Sequence, residues 1–208
     1  MPNLYVTRRD LIVGSGLILV LAVAFAAVGG RPLVVTFLPG LAVVWGIFAG
    51  LCRSGHPLPE GRDLYPLYFG VLAWQFLHFL EEYLTGFRIR FPELYGAEPY
   101  SDGLFVGINM VSYFVFALAF VVATQKRLAV LYIPPLFFAV YGALGNAIAH
   151  PWWVIETGEY FPGAVTALAY WALGPLLLAR FVGGLRQALI VAAGFALILI
   201  PCITFTTA

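Results

Sequence analysis

Residues 76–87 read Phe-Leu-His-Phe-Leu-Glu-Glu-Tyr-Leu-Thr-Gly-Phe, which sets His78, Glu81 and Glu82 inside an otherwise apolar and aromatic run. On a helix His78 and Glu82 are spaced i,i+4 and His78 and Glu81 i,i+3, so at least one carboxylate shares a face with the imidazole. Two adjacent carboxylates in a low-dielectric medium cannot easily both ionise; either they share a proton or a cation compensates them. Asn146 and His150 form a second i,i+4 pair some 70 residues later. Two histidines with one or two glutamates from two helices make a ligand set suited to zinc or non-haem iron. The expected ligands are therefore His78, Glu82, His150 and Glu81. Zinc with a bound water and a spare glutamate as general base would give hydrolysis. Glu81, Glu82, Asn146 and Tyr160 are the expected catalytic groups, and Trp74, Asn109, Trp152 and Trp153 the expected walls of a substrate pocket.

The elements that carry these residues are read from hydropathy. Of 208 residues 62% are hydrophobic and only 10% charged, with a mean hydropathy of +0.94. An ordinary soluble domain carries about a quarter charged residues. The charges fall in short clusters between long apolar runs, which predicts a single all-α, polytopic transmembrane helical bundle. Seven stretches are long enough to cross a bilayer: 11–29, 33–52, 65–86, 104–124, 128–149, 162–181 and 186–206. The net charge of +1 gives no ground for a nucleic-acid partner. Cys52 and Cys202 read as small apolar packing residues.

Arg8, Arg9, Arg53, Arg62, Lys126, Arg127, Arg180 and Arg186 fall on one side of this arrangement; only Arg31, Arg88 and Arg90 fall on the other. The positive-inside rule then predicts a plasma-membrane protein with its N-terminus inside and its C-terminus outside. The ends of the third and fifth spans and the starts of the fourth and sixth share the outer face. His78, Glu81, Glu82, Asn109, Asn146, His150, Glu156 and Tyr160 can thus meet in one outer-leaflet pocket. Segments 87–103 and 150–161 are read as outer loops, with Pro151 closing the fifth helix. "PWW" (151–153) is an interfacial aromatic belt or a rim over the site.

"HFLEE" (78–82), "NAIAH" (146–150) and "YFPG" (160–163) match, in order and spacing, the HXXEE, NXXXH and YXPG motifs. Over roughly residues 65–175 the chain resembles the HXXEE family of integral membrane proteins. The resemblance implies a role for His78, Glu81, Glu82, Asn146, His150, Tyr160 and Gly163, and an enzymatic activity, but it names no reaction. The residues themselves leave three chemistries open. A metal-dependent hydrolase of a lipid-like substrate is favoured. A metal-free acid–base isomerase or cyclase is the second, with an EXPERA-like His-x-x-x-Glu at His78 and Glu82. The third is a lipid-binding protein or transporter, but the inner halves of the spans offer few polar groups for a conducting path. A shared site requires His78 and His150 to lie within about 10 Å, since zinc ligands sit about 2 Å from the ion.

Overall fold

The computed structural model describes residues 3–205, the side chains of Asp63 and Phe205 excepted. The described residues are helical almost throughout: α1 (Arg8–Ser54), α2 (Gly61–Thr85), α3 (Phe87–Glu93), α4 (Asp102–Lys126), α5 (Ala129–Thr157), α6 (Ala164–Ala167), α7 (Tyr170–Val182) and α8 (Leu185–Phe205). Among them, α1, α4, α5 and the Leu185–Thr204 portion of α8 are long and apolar enough to cross a membrane.

Helix α1 is two antiparallel arms. The Trp45 indole N–H donates to Ser15 Oγ at 3.0 Å, yet residues 30 apart on a straight helix would be about 45 Å apart. The Phe25 and Phe37 rings meet edge to face with centroids 4.8 Å apart. The chain doubles back at Gly30, whose φ of 62° and ψ of −152° are closed to other residues. Thr7 starts the first arm with a capping box, accepting from the Asp10 amide at 3.2 Å while Asp10 accepts from the Thr7 amide at 2.9 Å. The predicted stretches 11–29 and 33–52 fall on these two arms.

Connections alternate between two ends of the bundle. At one end Leu58 N–H bonds Leu4 O at 2.8 Å and the Tyr132 hydroxyl bonds Pro59 O at 2.9 Å. At the other end the Tyr100 hydroxyl donates to Gly29 O at 2.6 Å, and Arg90 donates to Tyr160 O at 2.8 Å. This second end holds Gly30, α3 and the 158–163 turn. Helix α5 is the axis: 89% of its most apolar window is buried, against 6% for α1 and 22% for α8. Peripheral helices turn apolar side chains outward, including Val20 and Val23 on α1, Leu80 and Leu84 on α2, Phe114 and Leu118 on α4, and Ile190 and Leu197 on α8. An exposed apolar surface of this extent calls for an apolar surrounding.

Three expectations are corrected. Helix α5 does not close at Pro151 but runs to Thr157, because a proline removes only one amide donor and its neighbours keep the turn. Segment 87–103 is not all loop, since Phe87–Glu93 folds as α3 and buries Phe87, Phe91 and Pro92. The sixth stretch is broken: α6 ends at Ala167 and α7 begins at Tyr170. Cys52 and Cys202 are both half-buried.

Candidate metal centre

Helix α5 reaches the site through an unusual stretch. After a 3-10 turn and a short α segment, Phe138–Gly145 is π-helical, and Asn146–Thr157 resumes the α-helix. π segments widen the turn and recur at functional sites. Here the segment ends at Gly145, just before Asn146, so it sets the angle at which Asn146 and His150 leave the helix.

His150 and His78 are both fully buried, and their rings lie edge to face with centroids 4.7 Å apart. Glu82, 6% exposed, reaches between them. Its Oε1 is 3.5 Å from His78 Nε2 and 3.4 Å from His150 Nε2. Of the two glutamates it is the i,i+4 one that shares the histidine's face.

The other ring nitrogens define the tautomers. His150 Nδ1 lies 2.8 Å from Pro162 O. A carbonyl oxygen only accepts, so Nδ1 carries the hydrogen. His78 Nδ1 lies 2.8 Å from Thr166 Oγ1. The single hydroxyl hydrogen of Thr166 goes to Glu81 Oε2 in a very short bond, so Thr166 accepts from His78 Nδ1–H. In its neutral form each imidazole therefore turns a bare Nε2 lone pair toward the Glu82 carboxylate. Both Nε2 atoms are buried and lack a hydrogen-bond partner. Burying an unpaired polar atom costs about 1–3 kcal/mol, and here two converge on one anion.

The spacing fits a cation. Two ligands each about 2.1 Å from a tetrahedral zinc are about 3.4 Å apart, which is the separation of each Nε2 from Glu82 Oε1. A charge-assisted N–H···O bond would be about 2.7–2.9 Å. The three ligand atoms lie within 4.8 Å of one another, and the group could hold a metal ion.

Glu81 is placed differently from the expectation that it would ligate. Its Oε1 accepts from the Tyr160 hydroxyl at 2.7 Å and the Val165 amide at 3.0 Å. Its Oε2 accepts from the Thr166 amide at 2.7 Å and the Thr166 hydroxyl. Four donors leave it neither a lone pair for the metal group nor the freedom of a general base. It anchors Thr166, which in turn orients His78, a carboxylate relay of the kind that supports metal-bound histidines. Burial, and then the Glu81 carboxylate it faces, push the Tyr160 phenol above its ordinary value, so it stays a donor.

Gly163 is needed twice over. Its φ is 85°, and a Cβ there would lie 2.5 Å from His150 Cε1 and 2.9 Å from Glu82 Cγ. The "YFPG" turn thus supplies Tyr160 to Glu81, Pro162 O to His150, and a glycine that lets the turn close over the group. Arg90 ties α3 to the same turn, donating to Tyr160 O, pairing with Glu159, and lying over the Phe161 ring at 5.2 Å.

The remaining expected residues divide. Asn109, Asn146 and Trp153 line a cavity that reaches Glu82. Trp153 is buried and its indole N–H donates to Tyr95 at 3.0 Å, so it is a wall residue and not part of a surface belt. Trp74 is a support: it donates to Thr166 O at 3.0 Å. Trp152 points elsewhere, to Thr204 Oγ1 at 2.8 Å, and Glu156 is exposed, outside the cluster. Thr166 and Pro162 were not singled out in the sequence; Pro162 lay inside a quoted motif, whereas Thr166 carried no signal.

Neither a family model nor a curated protein nor a solved structure matches the chain.

Proposed function

We propose that the protein is a membrane-embedded, metal-dependent hydrolase of a hydrophobic, lipid-like substrate, and a member of the HXXEE family that its three motifs resemble. The observation that carries this is the pair of orphaned Nε2 atoms facing Glu82. Three protein ligands on a zinc ion leave a fourth position for water, the arrangement of catalytic rather than structural sites. His78, His150 and Glu82 would hold the ion, zinc or iron, and Glu81 with Thr166 would keep His78 in the ligating tautomer.

A zinc or iron ion held there would supply a water activated for nucleophilic attack near neutral pH. With a metal bound, Glu82, whose Oε1 alone faces both histidines, would carry the proton of an attacking water to the leaving oxygen or nitrogen of an ester or amide as its bond to carbon breaks. The Asn146 amide, which uses one hydrogen on Gly142 O at 3.0 Å, has a second for the developing oxyanion. Seven crossings, with the N-terminus inside and the site in the outer leaflet of the cytoplasmic membrane, account for the alternating connections and the uneven cation distribution.

Metal analysis of the purified protein tests this reading. About one zinc or iron per chain is expected, lost in His78→Ala and in Glu82→Gln. Protein free of bound metal, whose stability does not respond to added zinc or iron, would turn the reading toward metal-free acid–base chemistry at the same residues.

A further inference from the structure

The cavity beside Glu82 is an open-mouthed cleft whose space, the open part at its mouth included, comes to about 740 Å³. It extends well beyond what three metal ligands require. Along α4 its lining residues are Phe105, Ile108, Asn109, Ser112, Tyr113 and Phe116, one stripe of the helix followed over eleven residue steps. At 1.5 Å per residue that stripe is about 16 Å long. Glu82 and Trp153 lie at the end near Phe105, and Phe137 and Phe138 at the end near Phe116.

Polarity is graded along this length. Gln75, Tyr113 and Asn109 satisfy one another: Gln75 donates to the Tyr113 hydroxyl at 3.1 Å, and Tyr113 to Asn109 Oδ1 at 3.0 Å. Among the described residues Asn146 Oδ1 and the Ser112 hydroxyl have no such partner, and they remain for a ligand. Beyond them the walls are aromatic.

The mouth is lateral. From Tyr132 to His150 every residue of α5 is buried except Gly142 and Asn146, which are i,i+4 and both line the cavity. Phe37 on the second arm of α1 and Ile108 and Ser112 on α4 are half-buried lining residues too. The cavity therefore opens between the second arm of α1 and α4. Beside this mouth α4 exposes Val111, Phe114 and Val115, so the opening faces an apolar medium and not water.

We infer that this cavity is the binding slot for one hydrocarbon chain of a single-chain amphiphile, an acyl ester or acyl amide, entering sideways from the membrane with its polar end at Glu82 and Asn146. The assignment of that polar end as the reacting group rests on the hydrolase reading; the slot itself does not. One chain in the slot separates this substrate class from two-chain lipids.

Photolabelling in dioleoyl phosphatidylcholine vesicles tests the slot, with a radiolabelled straight-chain alcohol bearing a diazirine at its far end as the probe. The expected crosslinks are to peptides containing Phe116, Phe137 or Phe138. Ser112→Trp and, independently, Ile108→Trp fill the mouth and should each cut that labelling about tenfold or more, a loss of about 1.4 kcal/mol or more. Metal content and melting temperature, read on the same samples, identify whichever variant is folded. Labelling confined to outward residues such as Phe114 and Leu118, or unchanged in a folded mouth variant, overturns the inference. So does failure to label at all, because the two-chain lipid in excess would then occupy the slot. Cavity labelling retained in metal-free His78→Ala keeps the slot whatever becomes of the hydrolase reading. Bound metal without cavity labelling keeps the metal centre and removes the slot.

Discussion

Replacing Thr166 by Val removes one oxygen and keeps the shape. In the wild type that oxygen accepts from His78 Nδ1 at 2.8 Å and donates to Glu81. Without it the His78 Nδ1–H is buried with no acceptor, at a cost of about 1–3 kcal/mol. The ring has a cheaper alternative: moving its hydrogen to Nε2, where it faces Glu82 Oε1. That tautomer cannot ligate, so an incoming metal must first reverse it. Loss of an outer partner of a metal-bound histidine lowers metal affinity about 10–100-fold, or about 1.4–2.7 kcal/mol. Competition of the purified protein with a fluorescent zinc chelator measures this directly. Thr166→Ser, which keeps the hydroxyl, should stay within about threefold of wild type, about half the energy of a tenfold change. Zinc affinity of folded Thr166→Val equal to that of Thr166→Ser would refute the relay. The group would then not depend on Glu81 through Thr166.

Two further tests address the turn and the topology. Gly163→Ala should lower the melting temperature and abolish metal retention, because its Cβ meets His150 and Glu82. Gly158→Ala has a similar positive φ of 70° but open space around it, so it should lose about 1 kcal/mol or so of stability and keep its metal. Equal metal loss in both would mean that strain, not contact, governs the site. In a background with Cys52 and Cys202 replaced by Ala, Glu98→Cys should react with a membrane-impermeant maleimide from outside intact cells. His56→Cys should react only after the cells are opened; the reverse pattern would invert the proposed orientation.

The His78–Glu82–His150 group was legible because helical spacing ties His78 to Glu82, and alternation of the helices brings the end of α2 to the end of α5. Which of two adjacent glutamates turns inward was not legible. The two point about 100° apart on a helix, and only the 160–166 segment decides that Glu81 faces away from the histidines. Thr166 carries no mark in sequence; its partner His78 is 88 residues distant. Hydropathy located the two arms of α1, and the turn between them at Gly30 came from the structure. It misjudged Pro151 because an apolar helix with good packing on both sides runs through a proline that an isolated helix would not accept. Helix α3 escaped notice since seven residues give too short a pattern to read against its charged neighbours.

The eight π-helical residues at Phe138–Gly145 behave as a phase adjuster in the chain's central axle. Each wide turn delays the winding, so everything after it is rotated relative to everything before. Removing a single residue from this stretch would let it tighten into the more favourable α form while swinging Asn146 and His150 away from Glu82. The meeting of His150 with Glu82 and helical comfort are thus antagonists here, and a shorter, better-wound axle would keep the bundle and part the two.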